Sequence, residues 1–172
     1  MKLNLASGTD LRAGWLNLDI VKKWPTAIRE CDIIWDARKD ALPFSDNSAD
    51  EIYAGYLLLH LAPIYHAPVL KEIRRVLIPG APCYFSEVDF EIVMPRWLNN
   101  PEDRQLSELI WGEQGERAHG IEFAEYDKHC WGFTESKLHR LLMNSGFIDI
   151  DRITVHAVGV FYELTMRCFK GG

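Results

Sequence analysis

Short apolar runs, each closed by a turn signal or an acid, open this chain. Leu3-Asn4-Leu5-Ala6 is followed by Ser7-Gly8-Thr9-Asp10 and reads as a buried strand ending in a turn. Trp15 to Ile20 repeats the pattern with Asp19 near its carboxyl end, and Cys31 to Asp36 repeats it with an acid as its last residue. Only residues 7–14 separate the first two runs, whereas a parallel crossover usually takes roughly a dozen residues or more. Either that crossover is abbreviated or the two strands are not neighbours. A polar loop through Pro43, Asp46, Asn47 and Ser48 leads to a fourth strand, Asp50 to Ala54. Val69, Leu70, Ile73, Val76 and Leu77 then share one helical face, with Pro68 expected to start or kink the helix, and Arg74-Arg75 and Pro79-Gly80 to end it.

Pro82 to Ser86 predicts a fifth strand. From Phe90 to Trp131 no clean period emerges beyond a helix around 102–112, so residues 90–133 are expected to cap the sheet. Thr134 as N-cap, the stripe Leu138, Leu141 and Leu142, and the stop at Gly146-Phe147 define another helix. Residues Phe147 to Val155 and Val160 to Phe169 predict an antiparallel pair turning near Val158-Gly159, with Tyr162, Leu164, Met166 and Cys168 on one face. The succession describes an α/β fold, a doubly wound and mainly parallel sheet carrying an antiparallel strand near the carboxyl terminus. Such sheets bind ligands at strand carboxyl ends, which Gly8, Asp19 and Asp36 mark here.

Composition narrows the function. The 172 residues suit one domain. A net charge of −6, from 25 acidic and 19 basic residues, offers no broad basic surface and disfavours nucleic acid as partner. Cys31, Cys83, Cys130 and Cys168 lie far apart without a C-x-x-C pair and read as reduced thiols of a cytoplasmic protein. No signal peptide is expected from Met1-Lys2-Leu3-Asn4-Leu5. The uncharged stretch from Ile52 to Leu70 is broken by Gly55, His60, Pro63, His66 and Pro68 and is not expected to span a membrane. His119, Glu122, Glu125, Asp127 and His129 have no metal-ligand spacing, and no metal is expected. Trp97, Trp111, Trp131 and Phe133 suit core packing, or a stacking wall for a substrate.

Several ordered motifs resemble the class I S-adenosylmethionine-dependent methyltransferases, in particular their compact bacterial and phage members of methyltransferase type 11. Leu3 to Gly8 is similar to their glycine-rich first motif, and Gly14 to Asp19 to their acidic second motif. The passage from Asp36 through Leu42-Pro43-Phe44-Ser45-Asp46-Asn47-Ser48-Ala49-Asp50 is the most specific match. Leu70 to Gly80 resembles L-x-E-x-x-R-V-L-x-P-G-G, and Ser145-Gly146-Phe147 the a-G-F before the sixth strand.

The resemblance implies a Rossmann-like methyltransferase fold and an enzyme using S-adenosyl-L-methionine, with S-adenosyl-L-homocysteine as product. It puts Ala6, Ser7 and Gly8 at the methionine part of the cofactor and Asp19, with Ile20, at the ribose. Asp36 and Ala37 would face the adenine, and Ala54, Gly55, Tyr56 and His60 would flank the sulfonium. His129, His60, Glu87 and Asp89 are candidate general bases. The acceptor is expected to be a small molecule or glycan; the chain leaves its identity and the oligomeric state open. Ala6 stands in place of a motif glycine, Leu59 in place of a glutamate before the histidine, and Ala81 in place of the second glycine after Pro79. These departures give the alternative, a non-catalytic module that binds S-adenosylmethionine or a partner.

Overall fold

The computed structural model describes residues 1–112, 124–153 and 162–172. Seven strands, β1 (Lys2–Leu5), β2 (Leu16–Asp19), β3 (Ile33–Ile34), β4 (Glu51–Gly55), β5 (Pro82–Val88), β6 (Phe147–Ile153) and β7 (Glu163–Lys170), form one sheet in the order β3-β2-β1-β4-β5-β7-β6. β1 to β5 run parallel, while β7 pairs antiparallel with both β5 and β6. The helices are α1 (Pro63–Val76), α2 (Phe90–Asn99), α3 (Arg104–Trp111), α4 (Ala124–Asp127) and α5 (Glu135–Asn144). This is the expected α/β sheet with its antiparallel carboxyl-terminal strands. The turn expected at Val158-Gly159 lies outside the described residues.

β1 and β2 are direct parallel neighbours, so the first crossover is the abbreviated one. Polar side chains replace the missing helix. Asn4 and Asn17 are paired across the strands and almost fully buried. Asn4 Nδ2 donates to Asn17 Oδ1 (2.9 Å) and to the Asp10 carbonyl (2.6 Å). Asn17 Oδ1 also accepts from the Arg12 N–H (2.8 Å), and Asn17 Nδ2 donates to the carbonyls of Arg12 and Trp15 and to Asp32. Backbone groups of the connecting loop, which an intervening helix would have paired internally, are thus satisfied by two amides.

The two sheet faces differ. Leu3, Leu5, Ile52, Ala54, Cys83, Phe85, Met166 and Cys168 are sealed in one core with Val69, Leu70 and Ile73 of α1 and Leu138 and Leu142 of α5. Of their alternates, Asn4, Ser86 and Thr165 are buried, whereas Lys2, Glu51, Tyr53, Tyr84, Arg167 and Phe169 are half-buried or exposed. Parallel sheets normally bury both faces; here Arg12 lies 3.4 Å over the Tyr53 ring and Lys2 pairs with Glu51 instead.

Several elements differ from expectation: β5 runs on past Ser86 to Val88, α2 forms over Phe90–Asn99 where no helical period is read, and α1 and β3 change their bounds. α1 begins at Pro63, not at Pro68, because Pro63 at the first turn already fixes a helical φ and lacks an N–H that would go unused. Pro68 is absorbed inside the helix; the turn before it carries Ile64, which is 78% exposed. β3 shrinks from six expected residues to two, since only Ile33 and Ile34 ladder with β2. α5 holds its expected place, with Thr134 Oγ1 accepting from the Lys137 N–H and Gly146 at φ +86° closing the end.

Replacing Asn17 by alanine should lower unfolding free energy by about 2–3 kcal/mol, because several buried loop groups lose their partner at once. Urea denaturation followed by circular dichroism reads this as a lower midpoint.

Candidate functional site

The carboxyl ends of β1, β2, β3 and β4 open on a cleft of about 460 Å³. Ala6, Ser7 and Gly8 follow β1, Asp19 and Ile20 end β2, Asp36 and Ala37 follow β3, and Gly55 and Tyr56 end β4. His60, from the β4–α1 loop, and Glu125, Tyr126, Asp127 and His129, from α4 and the segment after it, complete the opposite side. Of the other residues singled out in the sequence, Ala54 points into the core and lies off the cleft.

Gly8 takes φ +51° with open space where a Cβ would be, so the backbone turns left-handed after β1. Ala6 adopts the same φ without being glycine. Gly55 has a different cause: a Cβ there would lie 2.7 Å from the Tyr53 ring, which folds back over the end of β4.

Asp19 is 4% exposed, and its carboxylate is occupied from within. Gly8 N–H donates to Oδ2 (2.7 Å); Val21 N–H (2.9 Å) and Trp24 Nε1 (3.0 Å) donate to Oδ1. Burial pushes its pKa up, and these bonds oppose the shift. Asp36 behaves in the opposite way: hydrogen bonding to Arg38 holds it down at about 2. Ser7 is 3% exposed, and its hydroxyl has no hydrogen-bond partner.

Two imidazoles 69 positions apart in sequence meet at the far side. His60 and His129 stand edge to face with ring centroids 4.9 Å apart. Each is tied through Nδ1 to a carbonyl, His60 to Lys128 (3.2 Å) and His129 to Leu109 (3.0 Å). A carbonyl only accepts, so Nδ1 carries the proton and Nε2 keeps its lone pair. Burial, joined at His129 by the neighbouring His60, lowers both pKa values to about 4.

Glu87 and Asp89 do not reach the cleft. Both are fully buried. Glu87 accepts from the N–H groups of Leu58 (3.0 Å) and Leu59 (3.1 Å), and burial pushes its pKa up to about 8. Asp89 caps α2 through the Glu91 N–H and takes an ion pair from Arg152 at 2.7 Å. The cap aromatics also face elsewhere. Trp97 packs against Trp111 and donates to Ser107, Phe133 is core, Trp131 is 42% exposed, and none of them lines the cleft. His119 and Glu122 lie outside the described residues; among the described residues no three metal-capable groups converge.

Trp24, Trp35, Arg38, Tyr53 and Leu109 also line the cleft and escaped the sequence reading. Arg38 carried a usable signal, two residues beyond Asp36. Trp24 carried a weaker one, five beyond Asp19. Tyr53 and Leu109 carried none.

A family model described as a methyltransferase domain matches residues 8–85. A S-adenosylmethionine-dependent methyltransferase from Methanosarcina mazei superposes with TM-score 0.61 at 19% identity, covering 99% of this chain and 92% of that one. A possible histamine N-methyltransferase from Thermotoga maritima gives 0.60 at 16%, covering 98% and 81%. Human N-acetylserotonin methyltransferase, in complex with S-adenosylmethionine, gives 0.59 at 19%, covering 99% of this chain and 47% of that one. No curated protein matches the sequence. The fold is that of S-adenosylmethionine-dependent methyltransferases, and the family match agrees with the resemblance carried by the sequence motifs.

Two outcomes follow from this geometry. Ala6→Gly should raise stability by about 0.5–1 kcal/mol in thermal unfolding, since relief of the left-handed strain outweighs glycine's greater loss of chain entropy. In NMR titrations the imidazoles of His60 and His129 should stay neutral from pH 8 down through 5.5 and protonate only near pH 4. With folded pKa values below the unfolded one, their contribution to stability is present above about pH 6.5 and is lost as pH falls toward 4.

Proposed function

We propose that this chain is an S-adenosylmethionine-dependent methyltransferase acting on a hydroxyl of a small molecule or glycan. It is read as one cytoplasmic domain whose residues 90–133 cap the acceptor side. The supporting observation is the unpartnered Ser7 hydroxyl, buried at the cleft where the first three strands end. A buried hydroxyl without a partner is costly, and a ligand's polar group would remove that cost. Buried free thiols and the exposed Cys130 suit the reducing setting of a cytoplasmic protein.

The donor set fits the cofactor. Ser7 and the Gly8 turn would hold the methionine end, and Asp10 offers a carboxylate to its ammonium. One lone pair of Asp19 Oδ2 remains for a ribose hydroxyl, with Ile20 beside it. Asp36, Ala37 and Trp35 would border the adenine, and Gly55, Tyr56 and His60 the sulfonium. When bound, the cofactor supplies a methyl group already activated for displacement. The protein's share is then largely placement. His60 and His129, neutral at physiological pH and open at Nε2, would accept the proton of an acceptor hydroxyl.

A specific observation favours a second reading, a module that binds the cofactor without turnover: three internal donors already engage Asp19, and Ala6 is held in a glycine conformation. Under that reading the cofactor binds but no acceptor is methylated.

Calorimetry tests the leading reading. S-adenosylhomocysteine should bind, and Ser7→Ala should fold normally and bind about three- to tenfold more weakly, the loss of one hydrogen bond. No heat at millimolar ligand would sink it.

A further inference from the structure

We propose that Glu87 is a positioning residue whose buried carboxyl sets the His60–His129 pair from behind the cleft. The inference rests on the methyl-transfer reading for its purpose, but its geometry stands apart from it. Glu87 lies on the core-facing side of β5, in the same alternation as Cys83 and Phe85, and is fully buried. A carboxyl there is expensive to desolvate. Among the described residues its hydrogen bonds run to two consecutive backbone N–H groups, Leu58 and Leu59, in the turn that joins β4 to α1.

That turn holds both walls of the histidine pair. His60 is the next residue, so the direction in which its ring leaves the chain follows the orientation of the 58–59 peptides. The Leu59 carbonyl, facing away from Glu87's N–H contacts, accepts from Cys130 N–H (2.6 Å) and Trp131 N–H (3.1 Å). Those residues directly follow His129. The His60 ring closes the link by bonding the Lys128 carbonyl on the other side of His129. One carboxyl therefore fixes the loop that presents the first imidazole and, through the single residue Leu59, docks the segment that presents the second. His66 braces the same turn from α1, its Nε2–H shared between the carbonyls of Leu58 (2.9 Å) and Leu61 (3.0 Å). Between them, Glu87 takes the turn's N–H groups and His66 its carbonyls. Leu59 itself is buried and apolar, so the polar anchor of the loop comes from β5.

The sequence suggests a general base in Glu87; the geometry makes it the support of the bases. Glu87→Gln tests this, because the amide keeps one acceptor oxygen and turns an NH2 on the second backbone N–H. Protein labelled with ¹⁵N-histidine reports each ring's tautomer and pKa by long-range ¹H–¹⁵N correlation. In the wild type, His60 and His129 should both hold the Nδ1–H form. In Glu87→Gln both should lose that fixed tautomer and move their pKa upward, while the dissociation constant for adenosine, which occupies only the Asp19 and Asp36 end of the cleft, changes less than twofold. Unchanged ring signals in folded Glu87→Gln overturn the proposal, and so does a general loss in which adenosine binding falls in parallel with the ring signals. If Glu87→Gln does not fold, the same measurements on Glu87→Asp, which withdraws the carboxyl by one methylene, carry the test with the same two overturning results. Absence of S-adenosylhomocysteine binding in the wild type would defeat the methyltransferase reading alone; the ring signals still decide the role of Glu87.

Discussion

Two buried asparagines, Asn4 and Asn17, bonded to each other across neighbouring strands, carry the amino-terminal half of the site. With no helix between β1 and β2, the loop of residues 6–15 pairs only some of its peptides internally, at Ser7–Asp10, Thr9–Leu11 and Arg12–Trp15. The two amides add to these, taking the carbonyls of Asp10, Arg12 and Trp15 and the Arg12 N–H. Ser7 and Gly8 hold their places at the cleft because the remainder of that loop is fastened underneath them. Asp19 adds the last tie by gripping Gly8 from β2. The cleft is thus an outcome of polar satisfaction on one side of the sheet and of apolar packing on the other.

The opposite wall is built by different means. Its two histidines come from segments with no shared secondary structure, and what joins them is a turn whose backbone groups are claimed from β5 and α1. A rigid sheet thereby reaches past its own strand ends to orient groups on loops. One half of the cleft thus rests on strand ends and the other on loops.

Strand ends were legible in the sequence because their chemistry is local. Gly8, Asp19 and Asp36 each sit within a residue or two of an apolar run that announces a strand, and the order of runs and turns gave the α/β class. Side-chain direction was less accessible. Glu87 and Asp89 read as candidate bases, yet β5 runs on past Ser86 to Val88, and the alternation Cys83, Phe85, Glu87 within it points the Glu87 carboxyl into the core. Asn4 and Asn17 looked like ordinary polar interruptions of a strand, since their role depends on a partner strand and a loop that fold against them. Trp24 is set beside Asp19 by a turn no local pattern encodes, and His60 and His129 meet only in three dimensions. The helix start at Pro63 was hidden by a second proline, Pro68, which has the stronger reputation as a breaker.

The half-hydrated face of the sheet has a thermodynamic consequence. Unfolding raises heat capacity in proportion to newly exposed apolar area and lowers it for polar area. Lys2, Glu51, Tyr53, Tyr84 and Arg167 already meet water in the folded state, and Asn4 and Asn17 bring polar surface to the strands a helix would have covered. Unfolding newly exposes the amides of Asn4 and Asn17 and only part of the Tyr53 and Tyr84 rings, and both effects act to lower the heat-capacity increment. A smaller increment flattens a stability curve and moves cold denaturation to lower temperature.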